Sequence, residues 1–439
     1  MPVRAVASLW PLFFGLLLLG LALGVQGSLL GIRAELEGFQ TWSIGVIMSA
    51  YFIGYLAGSL LTPRLIAAVG HIRIFGAATA LASITILVHA TVVEPSVWVL
   101  ARLVTGFAFS TVYVVSESWL NSAATNETRG QMLAYYMVTL LAGITAGQMI
   151  LTLADPAEVS LFVLISVMVS LAAIPILRTV LPAPTMDVHD RVSIHHLWHR
   201  APLGVIGIVL NQWCSSVVFS FGAVYAARQG MSVAEIAGFM TAIMGGAMVM
   251  QWPLGRLSDL VDRRWVLGVG GIAGAVTAAW AGLQPGHGPL LLLAAFLFGG
   301  FCLSQYSIVV ALIHDHLRPT EIVPASGTIV MVSGLVAISG PPSMALAMNM
   351  FGTSIFFVML AVMLTIMAII NIWRARYIPP LPGRYKTQST LQSAVAPVGT
   401  VLQADDKIVT LDDMLEEEGS RAQSAEATAD ADDALTGGP

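Results

Sequence analysis

Apolar runs of about 20 residues, each closed by polar or basic residues, recur along almost the whole of this chain. They fall at 8–31, 41–61, 72–92, 96–120, 131–153 and 159–181, and again at 202–226, 233–254, 265–283, 289–313, 324–348 and 352–374. Hydrocarbon offers no partner to a backbone N–H or C=O, so runs of this length can lie in it only as helices. Composition agrees, with 56% hydrophobic and 10% charged residues where a soluble domain carries about 25% charged. The expected fold class is therefore all-α and membrane-embedded, with twelve transmembrane helices. The first run is too long for a cleaved signal peptide and lacks a small-residue cleavage site.

A polar break splits the runs six and six. It sets an N-terminal six-helix bundle at 1–181, a linker at 182–201, a second bundle at 202–377 and a tail at 378–439. Twelve spans put both termini on one side with the even-numbered connections. That side holds Arg4, Arg64, Arg73, Arg129, Arg178, Arg191, Arg200, Arg256, Arg263, Arg264, Arg318, Arg374, Arg376, Arg384 and Lys386, and the other only Arg33 and Arg228. Basic residues stay in the cytoplasm, so both termini and the linker are expected there. From Asp405 onward eleven acids stand against Lys407 and Arg421, a net charge of -9 within a chain of -5. Such a tail is expected to be disordered and solvated, or to dock a cytosolic partner, with a short helix possible at 409–417. Cys214 and Cys302 fall inside spans and suggest no disulfide framework.

The halves share landmarks in the same order. Trp10-Pro11-Leu12 matches Ala201-Pro202-Leu203, Arg33 matches Arg228, and Gly58 matches Gly255. Gly106-Phe107 matches Gly300-Phe301, and Gly147-Gln148 matches Gly340-Pro341. A six-plus-six duplication accounts for that order.

Between two of the apolar runs lies PLGRLSDLVDRRWVL, an arginine-dense turn containing Gly255-x-x-x-Asp259-x-x-x-Arg263-Arg264. It resembles the loop signature of the major facilitator superfamily (MFS) of secondary transporters, and the resemblance covers 9–377. Through RAELEGFQTWSIGVIMSAYFIGY, GHIRIF, SESWLN and QWPLGRLSDLVDRR the chain is similar to the bacterial YcaD-like branch. The resemblance implies two pseudo-symmetric bundles rocking about a central cavity, in a permease of the bacterial inner membrane. It implies transport of a small-molecule substrate, coupled to an ion such as the proton. Its partners would be the lipid bilayer, the solute and protons, in a monomer with no cofactor and no nucleic acid. Arg102-x-x-x-Gly106 resembles the family's arginine motif tied to proton coupling. Two departures stand out: Thr62 replaces the acid of the first-half loop, and Gly147-Gln148 stands where proton antiporters carry Gly-Pro.

In this fold spans one, four, seven and ten line the cavity. Their polar groups are Gln26, then Arg102, Thr111 and Tyr113, then Asn211, Gln212 and Trp213, and finally Gln305 and Tyr306. Intramembrane polar groups either bind a solute or hydrogen-bond between helices, and both roles are open for these. Arg102 keeps its charge and needs a carboxylate, backbone carbonyls or an anionic solute as partner, or else is structural near the periplasmic mouth; the first role tilts toward anionic or zwitterionic solutes. Glu117 is expected in an ion network with Arg64, Arg73 and Arg129, or else as a protonation site. Glu35 and Glu37 are expected in a solvated link. By pseudo-symmetry Asp259, with Gly255, Arg263 and Arg264, should face the start of span five at Arg129 and lock the cytoplasmic side.

Other classes find no support. The lysines Lys386 and Lys407 lie in no phosphate-cradling frame, and no zinc helix or nucleophile set suggests an enzyme. His189, His195, His196 and His199 lack a metal-ligand frame. The alternative is a transport-inactive sensor on the same fold, signalling through the acidic tail.

Overall fold

A computed structural model describes residues 10–123, 129–177, 192–284 and 286–377. The first half comprises α1 (Trp10–Leu36), α2 (Thr41–Val69), α3 (His71–Thr91), α4 (Pro95–Ala123), α5 (Arg129–Gly147) and α6 (Ser160–Leu177). A 3-10 segment, Gln148–Leu153, prolongs α5. After a short helix α7 (Ile194–Arg200) come α8 (Pro202–Arg228), α9 (Val233–Leu260), α10 (Arg263–Gly282), α11 (Pro289–Leu303), α12 (Gln305–His314), α13 (Ile322–Phe351) and α14 (Ile355–Tyr377). A 3-10 turn, Pro319–Glu321, precedes α13. Twelve helical segments are long and apolar enough to cross a membrane, α11 and α12 together making the tenth. The acidic tail lies outside the described residues, as does most of the linker.

Two local features depart from the sequence expectation. The run 289–313 is interrupted at Ser304, whose hydroxyl donates to the Gly300 carbonyl while the Gln305 amide donates to the Phe301 carbonyl. Side-chain bonds to carbonyls one turn back loosen a helix and bend it. The motif turn is also far shorter than its sequence suggests. Helix α9 continues through Pro253, Gly255 and Asp259 to Leu260, and α10 begins at Arg263. Asp262 caps it by accepting from the Arg264 N–H at 3.0 Å. Between α2 and α3 the chain turns at the single residue Gly70, with φ of 93°, a left-handed conformation that glycine adopts without strain.

Inside lipid there is little hydrophobic drive between helices, and small residues allow close backbone approach. On α1 and α5 the glycines interlock. A Cβ at Gly20 would lie 2.8 Å from the Leu140 carbonyl oxygen, and one at Gly143 equally close to that of Leu17. Gln148 ties the same pair of helices by donating to the Gly24 carbonyl at 2.8 Å and accepting from Ser28 at 2.7 Å. That role explains locally why glutamine stands at this position.

Neighbour relations recur six spans apart. Helix α2 packs on α4 as α9 packs on α11, α1 on α5 as α8 on α13, and α3 on α6 as α10 on α14. The halves meet where α2 touches α13, α1 touches α8, and α5 with its 3-10 extension touches α9. Ser49 donates to the Ile338 carbonyl at 2.6 Å, and Gly31 leaves room for Val224. Glu35 is not in a solvated link. It ends α1 and accepts from Arg228 Nη2 at 2.7 Å and Nε at 3.0 Å, and Arg228 also donates to Thr41 at 2.8 Å. Glu37 pairs with Arg33 at 2.6 Å. These cross-half contacts lie between mid-span and the end bearing Arg33 and Arg228.

Leucine at position 143 would drive a branched side chain into the Leu17 carbonyl and the Gly20 Cα. Overpacking of this kind costs about 1–3 kcal/mol. Gly143→Leu should lower the unfolding temperature of the purified protein by several degrees, whereas the same change at Gly38, with nothing within 4 Å, is opposed only by its positive φ.

Candidate functional site

Span four carries three of the expected groups at different depths. At 1.5 Å per residue, Arg102 lies about 10 Å and Tyr113 about 27 Å from the start of α4 at Pro95. Glu117 is one turn beyond Tyr113. All three are buried, because α4 packs against both α2 and α3. Arg102 lies over the Tyr51 ring, 4.4 Å from its centroid. Glu117 makes no ion pair with Arg64 or Arg73, and the Arg129 side chain is outside the described residues. Its neighbours are phenols instead. Tyr136 on α5 approaches its carboxyl without a regular hydrogen bond, and Tyr55 on α2 is within electrostatic reach. Arg64 and Arg73 thus do not join the ion network expected around Glu117, whose described neighbours are phenols on α2 and α5.

The second half supplies amides and one phenol. Asn211 Nδ2 donates to the Cys302 carbonyl at 2.7 Å, tying α8 to α11, and Gln212 is buried beside it. Trp213 Nε1 donates to Ser343 at 3.0 Å. Tyr306 on α12 reaches Ser333 at 3.4 Å and lies within electrostatic reach of Tyr55 in the first half. Several polar atoms are nevertheless buried with no hydrogen-bond partner among the described residues. They include both amide atoms of Gln26, Arg102 Nε, the hydroxyls of Tyr51, Tyr113 and Tyr136, Asn211 Oδ1 and Gln305 Oε1. Each such group costs about 1–3 kcal/mol if left dry. Thr111 differs, being satisfied by Thr62 at 2.9 Å.

Sequence reasoning from cavity-lining spans missed Tyr51, Tyr55 and Tyr136, which sit on spans two and five. One signal was available, since Tyr51 and Tyr55 are four residues apart and so share a helix face.

The motif residues form a second cluster at the arginine-rich end. Gly255 is buried within α9. The Arg263 side chain is 1% exposed and donates from Nε to Asp315 at 2.7 Å, and from Nη1 to Ser258 and Asp259 at 3.0 Å each. Arg264 pairs with Asp262 at 2.6 Å and donates to the Arg374 carbonyl at 3.3 Å. Asp315, four per cent exposed, caps α12, so the motif is anchored to the end of the tenth span. Nearby, α7 docks through His196, 3.0 Å from Glu321. Burial disfavours the charge of Glu321, but the Arg318 N–H and His196 outweigh it, and its pKa is lowered. No metal-holding cluster occurs among the described residues.

Twelve spans, the repeated neighbour relations and an intramembrane polar core define a transporter-type membrane protein. The sequence profile of the Major Facilitator Superfamily matches residues 12–252 and 204–405, and the chain belongs to that family of transporters. The chain is 27% identical over 359 residues to the MFS-type transporter YcaD of Escherichia coli, covering 80% of this chain and 91% of YcaD. Among solved structures it is similar to a point mutant of the nucleoside transporter NupG, with a TM-score of 0.71 at 14% identity over 83% of this chain and 99% of that one. A bacterial homologue of the human lysosomal transporter Spinster, inward-facing and unoccupied, gives 0.70 at 14% identity over 88% and 98%. The transporter FucP in the outward conformation gives 0.56 at 14% identity over 84% and 99%.

Removing one partner of a buried ion pair strands the other charge at a cost of about 3–5 kcal/mol, whereas pairs near the surface contribute about 1 kcal/mol or less. Asp315→Ala should therefore lower thermal stability much more than Asp259→Ala, whose side chain is 33% exposed. Equal unfolding temperatures for the two variants would contradict the anchoring role.

Proposed function

We propose that the chain is a secondary active transporter that moves a small solute across the bacterial inner membrane by alternating access, coupled to protons. The observation that carries this reading is the set of buried, unpartnered polar atoms on helices of both halves, from Gln26 and Tyr113 to Asn211 and Gln305. Polar groups at this depth are retained where they meet a solute or water on a transport path. The arginine-rich end faces the cytoplasm by the distribution of basic residues, with both termini on that side. The halves act as the two rocking bundles at 1–181 and 202–377.

Glu117 is the coupling residue in this reading. It is a buried carboxyl among phenols with no ion pair among the described residues, so proton transfer is the way its charge can change. The test is reconstitution in liposomes containing a pH-sensitive dye, with a solute panel added outside. Proton movement that depends on solute supports the reading, and a wild-type protein that moves neither solute nor protons sinks it. Glu117→Gln should abolish gradient-driven accumulation while leaving solute exchange at equal pH intact.

Alternating access also needs a latch at each end. In this reading Glu35–Arg228 closes the periplasmic end, and Asp259, which pairs here with Arg263, closes the cytoplasmic one by meeting the start of α5, where a helix N-terminus favours a carboxylate by about 0.3–1 kcal/mol. The first half lacks an equivalent, because Thr62 is buried against Thr111. Labelling of a cysteine introduced into the cytoplasmic mouth should rise in Asp259→Asn and fall in Glu35→Gln. The populations should shift by a few-fold each, since about 1 kcal/mol changes an equilibrium about fivefold. Shifts in the same direction would rule out opposed latches.

A further inference from the structure

We propose that Arg102 and Tyr51 form a subsite for the carboxylate of a small organic monoanion, which deepens the transport reading and rests on it. Arg102 is 5% exposed and about two turns inside its span. Its Nη2 donates to Met48 Sδ at 3.9 Å, its Nε is buried without a partner, and its central carbon lies 4.4 Å from the Tyr51 centroid. Among the described residues no acid lies within ion-pair distance of it. Thioether sulfur is a weak acceptor, and an aromatic face attracts a cation without neutralising it. A guanidinium cannot relieve its burial by losing its proton. The geometry leaves it wanting an anion.

The surroundings restrict which anion fits. One cation matches a single negative charge, and its planar fork matches a carboxylate with two parallel hydrogen bonds. The Tyr51 hydroxyl, buried and unpartnered, supplies a further donor. Met48 and the Tyr51 ring present apolar surface, which suits an organic body rather than a bare inorganic ion. The other ionisable group within reach is His89 on α3. Its Nδ1 donates to the Thr85 carbonyl at 2.6 Å, its Nε2 has no partner, and its ring packs on Trp98. Trp98 in turn packs on Phe39, placing an aromatic cluster one helical turn from Arg102. The subsite also adjoins the seam between halves, since Ser49, next to Met48, bonds to Ile338. An occupant there would touch α2, one of the helices that meet the other half.

The experiment is a thermal-shift titration of the full chain in nanodiscs at constant ionic strength. The probes are sodium acetate, butyrate and benzoate, with benzamide, chloride and inorganic phosphate as controls. At least one carboxylate should raise the unfolding temperature saturably, with the controls inert. Arg102→Gln should weaken that binding at least about tenfold, and Arg102→Lys should restore part of it. Benzamide, chloride or phosphate acting as well as the carboxylates would overturn the proposal, as would unaltered binding in Arg102→Gln or no carboxylate binding at all. Should the Gln variant fail to fold, benzoate against benzamide on the wild type decides. Carboxylate binding without transport in liposomes would keep the subsite and remove the transport reading. Transport of neutral solutes without carboxylate binding would do the reverse.

Discussion

Every part of this molecule answers to one constraint, that hydrocarbon solvates no polar group. The backbone meets it by becoming helix throughout the spans. The helices then meet it by trading side-chain bulk for close approach, as Gly20 and Gly143 do across α1 and α5. Polar side chains at depth mostly return their hydrogen bonds to nearby carbonyls, as with Asn211 to Cys302 and Gln148 to Gly24. What is left unreturned is therefore informative. Gln26, Tyr51, Arg102 and Tyr113 carry polar atoms that the described residues do not satisfy, and the proposed solute path is drawn through them.

The duplicated architecture gives the two halves like folds and unlike ends. Arg33 and Arg228 occupy matching positions, yet Arg33 pairs within its own turn with Glu37, while Arg228 reaches across to Glu35. At the other end Arg263 is buried against Asp315, and the first-half position of Thr62 holds only a hydroxyl pair. Pseudo-symmetry sets the scaffold, and departures from it choose which contacts hold one conformation. A single ion pair near the surface is weak, which suits a contact that breaks under the proposed alternating access.

The polar centre has a similar asymmetry. The first half contributes phenols, a guanidinium, a carboxyl and the Gln26 amide, and the second contributes amides with Tyr306. Arg102 and Glu117 are fifteen residues apart on α4, or about 22 Å, so no small zwitterion bridges them. They serve separate purposes in the reading advanced above.

The sequence by itself determined the twelve spans, their division six and six, the membership in a transporter family and the polar residues of spans four, seven and ten. Apolar runs of spanning length admit no other backbone solution, so these features are local and legible. It could not determine what each polar group faces. Chain position suggests loop arginines around Glu117, which lies instead among Tyr55, Tyr113 and Tyr136, and a solvated link for Glu35, which clamps Arg228. Asp315, which in the sequence is only part of the polar cap His314-Asp315-His316 of span ten, holds the buried Arg263. Apart from Tyr113, one turn away on the same helix, these partners lie on other helices, from about twenty residues away for Tyr136 and Glu117 to nearly two hundred for Arg228 and Glu35. Helix rotation and depth, which only the packing of spans against one another fixes, decided them.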